Sequence, residues 1–345
     1  WDNTANWSTI PGANVITVQS NGLLANLPSS DKSLGGQAVS GAFNADWLPQ
    51  YTERLQAQPA LADLPFGRWD EALAAAGRWG LLEAHPLGGG YQRLQPIFPY
   101  FLRRRLGQDA ARAAAVDAAF VAFYEQLGRE LAQLIQSKEA QERQTGLALT
   151  RVEFENLYGA LGRALIKGNA FYSIFEAPYE MLLATNDHRG RNLLCNLVVA
   201  AQQRYSELQR AGDIGVSFYL VMARYARSFL ELKDYDRAAS IYQESLKTIA
   251  GMTGITAKQR GHFEAVSLHQ LGRVAQEQRQ WAAAEGYYQE ALAIKVEFND
   301  RYEQASTLHQ LGMVAEAQDE VDTAINYYLQ AAETYVQFED MHYLG

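Results

Sequence analysis

Along most of this chain the apolar positions recur at spacings of three and four, the period that gathers them on one face of an α-helix. Ala265–Asp300 carries the clearest pattern. Leu268, Leu271 and Ala275 fall at i, i+3 and i+7, and Trp281, Ala284, Tyr288, Ala291 and Leu292 mark one face of a second helix. The stretch then returns: Leu268-His269-Gln270-Leu271-Gly272 reappears as Leu308-His309-Gln310-Leu311-Gly312, 40 positions later. Val274-Ala275, Ala284, Tyr287-Tyr288, Phe298 and Asp300 return in the same register, and about 16 of the 40 positions are identical, the signature of a stacked repeat array. One helical hairpin cannot bury its own apolar face, so neighbours must stack to complete the core. Gly272 and Ala284 are expected where the two helices approach, because a larger group there would overpack the contact.

A diverged copy precedes these two at an offset of 46. In it Met222, Tyr225 and Ala226 stand for Leu268, Leu271 and Gly272, and Tyr235, Ala238, Tyr242 and Leu246 stand for Trp281, Ala284, Tyr288 and Leu292. Gly251-Met252-Thr253-Gly254 supplies the longer loop. Asp340-Met341-His342-Tyr343 begins a fourth copy and stops, and the first residue is Trp1. These ends predict a piece of a longer, cytoplasmic protein.

Upstream, residues 107–212 read as a helical connector of degenerate hairpins, with helices over Ala110–Ser137, Val152–Ile166, Asn169–Ala184 and Arg191–Gln209. Residues 43–106 read as a small domain. Trp47, Leu48, Tyr51 and Leu55 give one helical face, and Phe66–Gly77 gives another. Short apolar runs on either side of Gly88-Gly89-Gly90 predict a hairpin, and Ile97–Leu106 a further helix with Pro99 in its first turn. Residues 1–42 offer one candidate strand at Asn14–Val18, then loop composition. They fit the tail of an upstream α/β domain, and equally a disordered or trimmed segment.

Composition narrows the function. The net charge is −9, with a pI of about 5.3, against a nucleic-acid surface, which depends on Lys and Arg. Arg103-Arg104-Arg105 is the one basic cluster: a DNA contact is one reading of it, outweighed, given the overall acidity, by the polar face of a helix or a contact with an acidic domain of the same protein. The single cysteine, Cys195, excludes an internal disulfide framework and sits in a buried helical pattern. No apolar run reaches the length of a membrane span. There is no G-x-x-x-x-G-K-[ST] phosphate loop, no His-Glu-x-x-His and no Cys-x-x-Cys, so no catalytic, cofactor or metal residue is assigned.

The repeated positions resemble the tetratricopeptide repeat family, which has large apolar residues at positions 4 and 7, Gly or Ala at 8, Ala at 20, an aromatic at 24 and Ala at 27. Here these are Leu268, Leu271, Gly272, Ala284, Tyr288 and Ala291, then Leu308, Leu311, Gly312, Ala324, Tyr328 and Ala331. The usual terminal Pro is absent, and Asp300 and Asp340 are expected as N-caps instead. The resemblance implies an α-solenoid over 213–345 with about three repeats, and a protein or peptide partner held by first-helix positions that do not pack inward. Those positions are Val266, His269, Arg273, Gln276 and Glu277, then Ser306, His309, Met313, Glu316 and Ala317, with Arg227, Leu230 and Glu231 in the first copy.

The stretch 43–106 resembles the winged-helix element of STAND-class signalling ATPases, the relatives of NB-ARC and NACHT proteins. The resemblance rests on Gly80-Leu81-Leu82-Glu83, Gly88-Gly89-Gly90-Tyr91 and Arg93-Leu94-Gln95-Pro96. It implies a mainly α chain, a winged-helix-like domain followed by helical hairpins and the solenoid. It further implies a non-catalytic sensor and regulatory arm that contacts an upstream nucleotide-binding domain. The family commonly has His before this proline, where this chain has Gln95, so direct nucleotide sensing is not expected. A plain tetratricopeptide scaffold without a nucleotide switch is the alternative, and an enzyme within these residues the third class.

Overall fold

The computed structural model describes residues 42–85, 90–95 and 104–337. The expected strand at 14–18, most of the expected helix at 97–106, the glycines at 88 and 89 and the cap at 340 lie outside the described residues. The chain divides between Ala201 and Gln202 into two compact units.

The first unit begins with a short strand, β1 (Ala42–Asn44), that the sequence pattern did not predict, since three residues are too few to display alternation. The Asn44 side chain accepts from the Asp46 amide and caps a single 3-10 turn that leads into α1 (Leu48–Gln56), with Pro49 in its first turn. After α2 (Trp69–Arg78) come β2 (Leu82–Ala84) and β3 (Tyr91–Leu94). The sheet order is β1-β3-β2, antiparallel throughout, with Asn44 opposite Tyr91 and Ala84 opposite Gln92. Gly90 has φ of +80°, and a Cβ there would fall into the carboxylate of Asp46 and the side chain of Asn44, so the approach to β3 requires glycine.

Three long helices follow. Asp109 caps α3 (Ala110–Gln136) by accepting from the Arg112 amide at 3.0 Å. It packs on α4 (Ala140–Lys167) and α5 (Tyr172–Ala184). Leu55 and Leu61 join Ala115 and Ala119 in one core, with Tyr51, Phe66 and Trp69 around them, so α1 and the turns after it lie on α3. The fourth helix is α6 (His188–Gln202), which buries Cys195 as expected.

Two expected helix boundaries are corrected. α4 starts 12 residues before Val152, at Ala140, because its polar first turns are exposed and carry no apolar period. The single helix expected over Arg191–Gln209 is broken: α6 ends at Gln202, and Ser206 with Gln209 forms a reciprocal capping box that starts the one-turn α7 (Glu207–Arg210).

The second unit is a tetratricopeptide-like solenoid of paired helices. The pairs are α8 (Asp213–Glu231) with α9 (Tyr235–Gly251), α10 (Ala257–Glu277) with α11 (Trp281–Glu297), and α12 (Arg301–Ala317) with α13 (Val321–Gln337). Each pair closes on the next. Leu271 and Val274 of α10 complete the core of the first pair around Ala226, Ala238 and Tyr242. Leu311 and Val314 of α12 do the same for Ala275, Ala284 and Tyr288.

The turns repeat as well. Lys233, Arg279 and Asp319 occupy the left-handed region at φ of 58–60°, and in each case the following amide reaches back to a helix carbonyl: Asp234 to Phe229, Gln280 to Ala275, Glu320 to Ala315. The longer first spacing has its own anchor. Met252 is buried, Thr256 and Gln259 form a capping box for α10, and the Arg260 guanidinium donates to the carbonyls of Ile249, Ala250 and Met252 at the end of α9.

Candidate functional site

The first-helix face of the second unit is built from a contact that occurs twice. A Cβ on Gly272 would stand 2.6 Å from the Tyr288 ring, and one on Gly312 would stand 2.5 Å from the Tyr328 ring, so both glycines are fixed by the aromatic that lies on them. Each tyrosine then reaches past its glycine. The Tyr288 hydroxyl donates to Gln276 Oε1 at 2.9 Å, and the Tyr328 hydroxyl donates to Glu316 Oε2 at 2.7 Å. A histidine also meets each ring, edge-on for His269–Tyr288 with centroids 5.2 Å apart and tilted for His309–Tyr328 at 5.4 Å. The repeat therefore presents a histidine, a tyrosine and a polar acceptor in a fixed row.

The two rows differ in what lies beyond them. α12 covers His269, which is 9% exposed and has Nδ1 3.2 Å from Thr307 Oγ1. Thr307 in turn accepts from Lys295 Nζ at 2.8 Å, and Lys295, buried in the same junction, also donates to the carbonyl and the carboxylate of Glu303. Burial lowers the His269 pKa to about 3, helped by the positive charges of Lys295 and Arg273, so the imidazole is neutral. Burial also lowers Lys295, against the opposing pull of Glu303. His309, by contrast, is half-buried.

The expected partner-contacting residues thus fall into three groups. Arg227, Glu231, Glu277, Met313, Glu316 and Ala317 are exposed, while Val266, Arg273, Gln276, Ser306 and His309 are half-buried. His269 and Leu230 are buried, the first under α12 and the second in the core shared with α10. Several of these groups are already engaged locally. Arg227 pairs with Glu231 at 3.5 Å, Arg273 donates to Gln270 at 3.2 Å and Tyr235 donates to Glu277 at 3.4 Å.

The Lys295–Thr307–Glu303 group was not foreseen, although the repeat register carries a signal for it. Lys295 stands where the other copies have Ile249 and Tyr335, both buried, so an ionisable side chain interrupts an apolar position. One junction earlier the same place is served differently: the Tyr219 hydroxyl lies 2.9 Å from the Phe263 carbonyl and 3.3 Å from Ser267 Oγ, the counterparts of Glu303 and Thr307.

Among the described residues no group of three or more His, Cys, Asp or Glu is placed to hold a metal ion. Among them, too, no helix is long and apolar enough to cross a membrane.

Residues 263–335 match the family model of the tetratricopeptide repeat. The match runs from the first half of α10 to near the end of α13 and so takes in both rows. No curated protein matches the chain. A tetratricopeptide motif suggests interaction with proteins.

Proposed function

We propose that the second unit binds a protein or peptide on its first-helix face, and that the chain is the sensor and regulatory arm of a cytoplasmic STAND-type signal-transduction ATPase. The observation that carries the binding half is the second row, His309, Tyr328 and Glu316, which α12 and α13 leave partly open, flanked by Arg273, Ser306 and Met313. It offers hydrogen-bonding groups held at fixed spacing and one adaptable thioether. The mixed charges favour an extended or folded protein segment over a purely acidic tail.

The switch half is supported by the topology of the small sheet. Two helices between β1 and β2 and the strand order β1-β3-β2 are features that a winged helix would have, the element that links a nucleotide-binding domain to a repeat array in that class. In this reading the winged helix passes partner binding to an upstream domain, and these residues perform no chemistry themselves. Gln95, in the place where that class commonly has His, favours a second reading, a plain scaffold with no nucleotide switch.

Selection of peptides on the purified chain, followed by calorimetric titration of the best binder, tests the first half. Binding that survives Arg273→Glu at unchanged helicity would move the site off this face. A phosphate-loop motif upstream in the same reading frame separates the two readings: its presence supports the switch, and its absence leaves the scaffold.

A further inference from the structure

On α3, Phe123, Leu127 and Leu131 follow one another at four-residue intervals and form one stripe, with Gln126 and Glu130 at the same interval on the stripe beside it. α1 and the turn before it approach from the side. The Trp47 ring lies 6.1 Å from that of Phe123, and the Arg54 guanidinium stands over the same ring at 5.5 Å. Between these elements is a half-open pocket of about 220 Å³, whose lining Leu149 of α4 completes. It lies wholly within the first unit. The inner wall is apolar: Phe123, Leu127 and Leu131 are buried, and Trp47 and Leu149 half-buried. An apolar cavity of about 150 Å³ takes up a benzene-sized molecule, so this pocket has room for a side chain between leucine and phenylalanine in size.

The outer edge carries two opposite charges that do not pair. Gln126 stands between them: its Oε1 accepts from Arg54 Nη2, and its Nε2 donates to Glu130 Oε1 at 2.7 Å. Arg54 also donates to the Gln50 carbonyl at 2.6 Å. Among the described residues Arg54 meets no carboxylate and Glu130 no cation; Arg129, next to Glu130 on α3, is held by Glu125 at 3.4 Å. A guanidinium has five N–H groups and a carboxylate about four acceptor sites, so both charges keep bonding capacity to spare. The gap between them is spanned by an acceptor and a donor on a single carbon, the Gln126 amide. A carboxylate and an ammonium on a single carbon would span it in the same order, acceptor toward Arg54 and donor toward Glu130. A simple carboxylic acid would answer Arg54 but set a second negative charge beside Glu130, and a simple amine would do the reverse.

We propose that this pocket binds a free apolar α-amino acid, with its side chain on Phe123, Leu127 and Leu131, its carboxylate on Arg54 and its ammonium on Glu130. The ligand enters beside Gln126 and uses the bonds that Arg54 and Glu130 have left. The chain then carries a small-molecule site in its first unit, separate from the face proposed for a protein partner in its second, and either can fail without the other.

The test is calorimetric titration of the full chain with L-leucine, L-methionine and L-phenylalanine, with glycine as the control that lacks an apolar side chain. At least one of the three is expected to saturate one site per chain with a Kd at or below about 1 mM, and glycine is expected not to bind. Arg54→Gln and Glu130→Gln should each weaken the tightest of them at least about tenfold at unchanged helicity. Its N-acetyl derivative, which lacks the ammonium, should bind at least about tenfold more weakly and be indifferent to Glu130→Gln. No saturable binding by any of the three, equal binding of glycine, or an affinity unchanged in Glu130→Gln overturns the proposal. An N-acetyl derivative that binds as tightly as the free amino acid overturns it in favour of a peptide C-terminus. Glu130 is exposed, so its variant is expected to fold and keeps the test decisive if Arg54→Gln, which removes the cation over Phe123, does not.

Discussion

His269 Nδ1 and Thr307 Oγ1 meet 3.2 Å apart, joining the first helices of consecutive hairpins. Thr307 accepts from Lys295 and passes its own hydrogen to the Glu303 carbonyl at 3.0 Å, so the remaining lone pair takes the hydrogen of a neutral His269 protonated on Nδ1. Every hydrogen-bonding group at the centre of this junction has one assignment.

That assignment makes the second unit sensitive to acid. The folded His269 has its pKa near 3 against 6.5 when unfolded, so the unfolded chain binds the extra proton first. A depressed pKa gives stability that is complete above 6.5 and lost as pH falls toward 3, at about 1.4 kcal/mol per pH unit at most. The thermal midpoint of wild type should therefore fall more between pH 7 and pH 5 than that of His269→Phe. Parallel profiles would show that the imidazole is not buried neutral.

Lys295 and Glu303 test the same junction from the other side. Glu303→Ala removes the carboxylate but leaves the ammonium buried, a loss of about 1–3 kcal/mol, toward the low end because Glu303 itself reaches water. Lys295→Ile, which restores the apolar residue found at 249, should cost less than Glu303→Ala, since replacing a buried ion by a packed hydrophobe is often neutral. Urea melts of the two variants decide it, and the opposite order would mean that the ammonium carries the junction.

The close approach of the paired helices has a simple contrast. Gly272→Ala places a methyl group 2.6 Å from the Tyr288 ring and should cost about 1–3 kcal/mol, whereas a Cβ on Gly286 meets nothing within 4 Å. Gly286→Ala should stabilise the chain by about 0.5–1 kcal/mol through helix propensity. Similar thermal midpoints for both variants would sink the register that pairs Gly272 with Tyr288.

How much of this was legible in the sequence depends on whether a contact stays within one repeat. Gly272, Ala284 and Tyr288 recur with the period, and their mutual packing followed from residue size. Contacts between repeats are harder to read. His269 sits at a position that faces outward from its own hairpin and is covered only when α12 arrives, so the sequence placed it on the binding face. Leu230 was misjudged for the same reason, with α10 as the cover. The Lys295 group needed the opposite inference, from a residue that breaks the period. In the first unit the hairpin of β2 and β3 was visible from its apolar runs, while the pocket lined by Arg54, Gln126 and Leu149 joins three elements with no common spacing.

The last prediction concerns partner capture. Arg273 is half-buried and its guanidinium is held by the amide of Gln270, a neutral partner that leaves the charge available to a carboxylate. His309 lies on Tyr328 in the row nearest the end of the described chain. A ligand lying across both rows would touch each, and Met313, 40% exposed beside them, would adapt to its apolar side chains. Neither Arg273 nor His309 belongs to the buried Lys295–Thr307–Glu303 group, so the Arg273→Glu, His309→Glu double variant should keep its helicity and its thermal midpoint to within about 1 kcal/mol. Its affinity for a selected peptide should fall at least tenfold, the equivalent of about 1.4 kcal/mol. A correctly folded double variant that binds as tightly as wild type would exclude the first-helix face and direct the search to the outer helices α9, α11 and α13.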